Sequence, residues 1–388
     1  MNVLMISDVY FPRVNGVSTS IQTFAREFIT RGHDVTLIAP DYGRETIDPF
    51  TVIRMASRYL PLDPEDRMLR WRQLRQYDKQ LTSSQFDLVH IHTPFIAHYL
   101  GIALARRFNL PVVESYHTFF EQYLNHYVPL IPAAWLRWIA RRFSRTQCNT
   151  VNGLIVPSQA MLDVLRDYRI ETHAAVIPTG IELNQFGHGN GIAFRQRYAI
   201  DLDRPLLVHV GRLAFEKNID FLLKMLCMVK KEIPNVLLAI AGEGPALSSL
   251  KDLAHRLGLS ENTCFVGYLS RDGALEDCYC AGDAFVFASR TETQGLVLLE
   301  AMALGTPVIS TAVMGTREIL HIGHGCLIAE EHEADFAAQT VKLLKDSALR
   351  TELSQQARQY AQLWSAPVLA QRLLTFYDQV ITAYRTSN

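Results

Sequence analysis

Short runs rich in Val and Ile alternate with helical patterns along this chain, and halfway through the alternation starts again. NVLMIS (2–7), DVTLIAP (34–40), LVHIH (88–92) and PVVESYH (111–117) have the length and branching of buried strands. Between them, STSIQTFAREFITRG (18–32) and FIAHYLGIALARRFN (95–109) carry apolar residues at helical spacing. The rhythm resumes with LLVHVG (206–211), VLLAIAG (236–242), AFVFAS (284–289) and PVIST (307–311), separated by the helical NIDFLLKMLCMVKKEI (218–233), ALSSLKDLAHRLG (246–258) and LVLLEAMALG (296–305). Such alternation predicts βαβ units and parallel sheets. The expected fold is α/β: two doubly wound, Rossmann-like domains in tandem, their strand C-termini facing one cleft. A chain of 388 residues exceeds one ordinary core and suits two domains of roughly 150 to 200 residues each. VIPTGIELNQF (176–186), a Pro/Gly turn followed by polar residues, marks the boundary. The expected domains are therefore 1–182 and 183–365, with a C-terminal helix, 366–388, packing back on the first half. The segment 333–386 reads as helical apart from a stop near Ser365 to Pro367.

Composition narrows the class. With 48% apolar residues, 20% charged residues and a formal net charge of −1, the chain reads as globular, neither disordered nor a dedicated nucleic-acid binder. The opening MNVLMISDVYFP lacks the parts of a signal peptide, and no apolar stretch reaches the roughly 18 residues of a spanning helix, so a cytoplasmic protein is expected. Six cysteines, at 148, 227, 264, 278, 280 and 326, form no CxxC pair and have no histidine at metal-ligand spacing. They read as reduced, mostly buried thiols, and no metal site is expected.

Three glycine-bearing turns between strand and helix could bind an anion, because the first N–H groups of a helix lack partners within it and the helix dipole adds attraction. FPRVNGVSTS sets Gly16 ahead of a helix that Ser18 or Thr19 starts; VGRLAFEKN places Arg212 just after a strand and Lys217 five residues on. In SRTETQGLVLLEAMALGTPVIS (289–310), the backbone of Gln294, Gly295 and Leu296 opens the third helix. No GxGxxG or GxxxxGK[ST] is present, so nicotinamide and P-loop readings lack their fingerprints. Glu292 and Glu300 bracket the third turn. A carboxylate accepts hydrogen bonds from two neighbouring hydroxyls, so this pair suits a nucleotide sugar whose phosphates rest at the helix start. The structural alternative makes Glu292 a helix cap and Glu300 a solvated charge. Glu300, however, falls inside LVLLEAMAL, where an unpaired charge is costly.

TETQGLVLLEAMALGTPVI, with VGRLAFEKN, IAGEGP, FVGYLS and VIPTGIELNQF, resembles the GT-B family of retaining nucleotide-sugar glycosyltransferases, family four in the usual sequence classification, over nearly the whole chain. The resemblance implies roles for individual residues. Glu292 and Glu300, matching E-x7-E, contact the donor sugar and the ribose; Arg212 and Lys217, matching GR-x4-K, neutralise the diphosphate. Gly16 lies near the donor phosphate, and His117 in ESYHTFF is the catalytic-centre histidine that contacts the donor sugar, with a plain core histidine as the alternative. It also implies retention of the α configuration by attack from the leaving-group face. Arg212, Lys217 and the helix N-terminus spread the charge of the departing nucleoside diphosphate, and no cofactor is needed beyond the substrate, UDP-glucose being first in line. Two departures stand out: ETQG replaces the common EGFG beside the sugar, and PTGIE replaces PNGID, putting Thr179 and Glu182 where Asn and Asp are frequent.

TETQG, HTPF and ESYHTFFEQYLNHYV look most like the diacylglycerol glucosyltransferases of this family, which make α-monoglucosyl-diacylglycerol. PLIPAAWLRWIARRFSRTQ (129–147) sets Trp135, Leu136, Trp138, Ile139 and Phe143 among Arg137, Arg141, Arg142 and Arg145 with no acidic residue, a composition suited to an anionic headgroup layer. RMLRWRQLRQYDKQL (67–81) is a weaker stretch of the same kind. Each also fits a surface helix whose apolar side faces the core. The leading expectation is a peripheral enzyme on the inner face of the cell membrane, moving a hexose, glucose first, from a UDP-sugar to 1,2-diacylglycerol, with no nucleic-acid partner. A phosphatidylinositol, a lipopolysaccharide precursor or a soluble sugar would serve the same donor chemistry. A nucleotide-sugar epimerase or phosphorylase and a non-catalytic sensor stay open. Replacing Glu292, Glu300 or Lys217 by Ala is expected to remove most turnover and leave the fold intact.

Overall fold

Parallel strands buried on both faces show no polar alternation, and β10 (Leu206–Val210, LLVHV) shows why: it is buried at all five positions. Leu206, Val208 and Val210 enter one core with Phe285, Leu298 and Met302, whereas Leu207 enters another with Leu222, Val286 and Phe336. Each such side chain contributes about 1.5 to 3 kcal/mol by leaving water.

The structure is a computed structural model that describes residues 1–43, 47–60, 63–69, 81, 86–117, 133–321 and 324–387. The stretch 118–132, most of 67–81 and the Leu136 side chain lie outside the described residues. Two compact units divide the chain, Met1–Gly180 with Ala366–Asn388, and Ile181–Ser365.

Unit 1 holds β1 (Asn2–Ile6), β2 (Asp34–Pro40), β3 (Thr51–Met55), β4 (Ser57–Leu60), β5 (Asp63–Leu69), β6 (Leu88–Ile91), β7 (Val112–Ser115), β8 (Gly153–Val156) and β9 (Ala174–Val176). Seven of these form a parallel sheet in the order β3-β2-β1-β6-β7-β8-β9, and β4 pairs antiparallel with β5. Unit 2 holds β10, β11 (Leu237–Ala241), β12 (Thr263–Gly267), β13 (Ala284–Phe287), β14 (Val308–Ser310) and β15 (Cys326–Ile328), parallel in the order β12-β11-β10-β13-β14-β15. Both orders run outward one way and then the other, so each sheet has a switch point: beside β1 in unit 1 and beside β10 in unit 2. There the loops leaving neighbouring strands splay apart and open a crevice for a ligand.

The first helix, Gly16–Thr30, begins earlier than the serine and threonine start expected for it. Asn15 is the cap, its side chain accepting from the Ser18 N–H at 2.8 Å. The last helix, Ala366–Ser387, belongs to unit 1 and carries Pro367 in its first turn, where a missing N–H costs nothing. Tyr377 on that helix meets Phe28 edge-on at 5.7 Å. Ile181 and Ser365, the first and last residues of unit 2, meet in a parallel bridge. No helix among the described residues is long and apolar enough to cross a membrane.

Candidate active site

In unit 2 the residues singled out above sit on the loops that follow β10 and β13, the strands flanking the switch point, and on the helix Leu296–Ala303 that the second loop leads into. Arg212 directly follows Gly211, whose N–H donates to the Ala241 carbonyl at 3.0 Å, and the Leu213 N–H donates to the Glu243 carbonyl at 2.9 Å. This backbone contact is close enough to demand glycine: Gly242 has φ +133°, and a Cβ there would lie 1.9 Å from the Gly211 oxygen. Lys217 closes a single 3-10 turn, Phe215–Lys217, and Asn218 stops it in the left-handed conformation at φ 58°. Asn218 is held by its own amide, which donates to the Ala288 carbonyl at 3.2 Å and to Glu331 Oε1 at 3.3 Å.

Beyond β13 the chain carries Glu292, whose carbonyl accepts from the Gly315 N–H at 3.0 Å. Gly295, at φ +95°, then caps the helix Leu296–Ala303. Glu292 is therefore no cap; its carboxylate pairs with the Lys217 ammonium, both side chains being about one-fifth exposed, 17% and 21%. Gln294 and Gly295 are buried and Leu296 is half-buried at the helix mouth.

Glu300 has a different environment from the unpaired one considered for it. Its side chain is 3% exposed, yet one oxygen accepts from Arg271 Nη2 at 2.7 Å and the other from the Tyr279 hydroxyl at 2.8 Å. The carboxylate holds Arg271 above its ordinary range, while burial, with Glu300 second, pushes the Tyr279 phenol well up. His209, buried in β10, donates from Nδ1 to the Val286 carbonyl at 3.0 Å, and burial lowers it to about 4, so it is neutral at physiological pH.

In unit 1, Gly16 is exposed as the first residue of its helix, and a Cβ there would meet nothing within 4 Å. Neither backbone strain nor crowding calls for glycine at that place. His117 follows β7, half-buried, with Nε2 3.4 Å from His92 Nδ1 and the two rings stacked at 5.7 Å. Behind them His90 joins Ser115 Oγ at 2.8 Å through Nε2 and the Tyr377 hydroxyl at 2.6 Å through Nδ1. Desolvation lowers His117 to about 4 and pushes His90 and His92 well below their ordinary value. Three neutral imidazoles result, so His117 offers a hydrogen bond and no positive charge. At the switch point, Asp8 accepts from Thr93 Oγ1 at 3.0 Å and the Ala97 N–H at 2.9 Å, and its burial raises it to about 6.

The helix Ala133–Cys148 turns Ala140, Ser144, Gln147 and Cys148 inward. Trp135, Trp138 and Ile139 are 66%, 59% and 43% exposed, together with exposed Arg137, Arg141, Arg142 and Arg145. Phe143 is half-buried beside these inward residues, while the two indoles face away from them. Sequence reasoning passed over Asp8, His90, His92, Asn218, Arg271, Tyr279 and Glu331. Only the histidines left a signal, as two polar residues at i and i+2 in the otherwise apolar LVHIH.

Residues 14–185 match the family described as Glycosyltransferase Family 4, and residues 192–360 the one described as Glycosyl transferases group 1. The chain is 35% identical over 321 residues to an alpha-monoglucosyldiacylglycerol synthase of Streptococcus pneumoniae, covering 80% of this chain and 71% of that one. It is 27% identical over 320 residues to the protein of the same name from Acholeplasma laidlawii, covering 80% of each. The solved structure of Anabaena HepE in complex with UDP-glucose matches with a TM-score of 0.74 over 98% of this chain and 100% of that one, at 17% identity. The two parallel sheets expected from the sequence thus take the GT-B arrangement of two Rossmann-like units. The chain belongs to Glycosyltransferase Family 4 and is a nucleotide-sugar-dependent glycosyltransferase.

Proposed function

We propose that this glycosyltransferase moves a hexose, glucose first, from a UDP-sugar to 1,2-diacylglycerol at the inner face of the cell membrane, with retention of the α configuration. Unit 2 takes the donor and unit 1 the acceptor. Both the relatives named for α-monoglucosyldiacylglycerol synthesis and the structure solved with UDP-glucose support this reading.

On this reading the diphosphate takes Lys217 away from Glu292, and Glu292, relieved of its counter-ion, accepts hydroxyls of the sugar. Arg212 and the N–H groups of Gln294, Gly295 and Leu296 face the same phosphates, the helix dipole adding to their pull. As the glycosidic bond breaks, these fixed positive groups hold the charge that collects on the leaving diphosphate. Glu300 receives the ribose while Arg271 and Tyr279 hold it still, since each carboxylate oxygen has a second acceptor site. In unit 1, His117 and Gly16 keep the roles that the family resemblance implies, the neutral imidazole as a hydrogen-bond donor to the sugar and Gly16 as a residue near the phosphate.

The observation that carries the lipid acceptor is the exposure of Trp135 and Trp138 among four exposed arginines with no acidic residue in their helix. Arginines draw the helix to anionic headgroups and indoles anchor it at the interface. The test is turnover of UDP-glucose, UDP-glucuronate and GDP-mannose, each with and without diacylglycerol in anionic vesicles. Glycolipid formed from UDP-glucose only with diacylglycerol present is the expected result. Turnover indifferent to lipid would overturn the acceptor and direct the search to soluble sugars.

A further inference from the structure

We propose that Glu331 is a positioning residue for the donor site, one carboxylate oxygen aligning both loops that carry the Lys217–Glu292 pair; this rests on the donor reading above. Glu331 lies between β15 and the helix Glu333–Lys345. Its Oε1 accepts from Arg290 Nε at 2.6 Å, from Arg290 Nη2, and from Asn218 Nδ2 at 3.3 Å. Asn218 follows Lys217 immediately, and Arg290 lies two residues before Glu292. Asn218 is 4% exposed and holds a left-handed backbone conformation that a non-glycine residue adopts at a cost, so its side-chain bonds decide whether the turn keeps Lys217 in place. The two residues leading into Glu331 are themselves anchored, the Ala329 N–H donating to the Ser310 carbonyl at 2.9 Å and the Glu330 N–H to Asp335 Oδ2 at 2.8 Å. The Arg290 and Glu331 side chains are 59% and 31% exposed, and a pair so open to water adds little to folding stability. What the arrangement supplies is geometry. Two loops separated by some seventy residues must present an ammonium and a carboxylate side by side to one ligand.

The experiment measures UDP affinity and melting temperature for the full chain and its variants. Glu331→Ala is expected to weaken UDP binding by roughly tenfold, the scale of a misplaced binding group, while the melting temperature moves by no more than about 2 °C. Glu331→Gln, which keeps an acceptor for Asn218, is expected to retain most of the affinity. In a Lys217→Ala background, Glu331→Ala is expected to change affinity less than about twofold, because groups acting through one another are not additive. Equal losses in the two backgrounds would overturn the proposal, as would wild-type affinity in Glu331→Ala. A fall in melting temperature large enough to track the lost affinity would assign Glu331 to the fold instead. A wild-type chain that binds neither UDP nor GDP would overturn the donor reading itself, whereas firm wild-type binding untouched by Glu331→Ala overturns the positioning role alone.

Discussion

Two glutamates eight positions apart have opposite physical characters. Glu292 and Lys217 are each about one-fifth exposed, at 17% and 21%, and solvent screening leaves such a pair about 1 kcal/mol of stability or less. Glu300 is shared by a buried tyrosine hydroxyl and a guanidinium, so removing it strands both donors at a cost of about 2 to 4 kcal/mol. Glu292→Ala is therefore expected to melt with the wild type and lose turnover by about a hundredfold or more, the usual scale for one electrostatic contact at a reacting centre. Glu300→Ala is expected to lose turnover and melt several degrees lower, so the intact fold expected for it from the sequence is revised. Thermal melts beside initial rates decide the matter. Coincident melting of Glu300→Ala and the wild type would show that Arg271 and Tyr279 find other partners.

At the scale of elements, Asp8 ties the loop after β1 to Thr93 and to the first turn of the helix Ile96–Phe108. Burial raises its folded value to about 6 from 3.8, so between those values the native state holds a proton that the unfolded chain has released. Its contribution is full below the lower value and is lost as pH rises through the upper one, a decline of about 3 kcal/mol. The buried histidines, held below their ordinary value, impose a rise with pH on wild type and variant alike, so urea unfolding between pH 4.5 and 7 should show the decline as the difference between the wild type and Asp8→Asn; parallel curves would remove Asp8 as its source. The strands were legible in the sequence wherever they are central, because a strand buried on both faces must be a run of Val, Ile, Leu or Ala. Those without such a run are mostly edges. β3, β9, β12 and β15 terminate the two sheets, and their half-exposed positions break the apolar pattern. β8 is central but is only GLIV, and its glycine is fixed by a distant contact: a Cβ at Gly153 would lie 2.8 Å from Val380. Asn15 was missed as a cap for a local reason, since Asn-Gly reads as a turn before it reads as a helix start.

Across the whole chain, the legible part of the site is the part written contiguously. GRLAFEK and ETQGLVLLE each hold their chemistry within one loop, so residue types at fixed spacing were enough to find Arg212, Lys217 and Glu292. Arg271 with Glu300, Glu331 with Asn218 and Tyr377 with His90 lie 29, 113 and 287 residues apart, and no periodicity or spacing brings such partners together before the fold does. The last of these pairs follows from the path of the chain, which completes unit 2 between Ile181 and Ser365 before returning with Ala366–Ser387 to finish unit 1. That helix buries Leu369, Leu373, Phe376, Tyr377 and Val380. Unit 1 is thus expected to lack part of its core until Ala366–Ser387 is made. Tyr377→Ala removes a fully buried ring and the hydroxyl that serves His90, a loss of about 3 to 5 kcal/mol. If cooperativity follows the units, the loss falls on unit 1, although residue 377 is nearer in sequence to the whole of unit 2 than to β1. Hydrogen exchange read by peptide should then show β1, β6 and β8 losing protection while β10, β11 and β13 keep theirs. Loss in the second group as large as in the first would mean that the chain unfolds as one body and that the division into units has no energetic meaning.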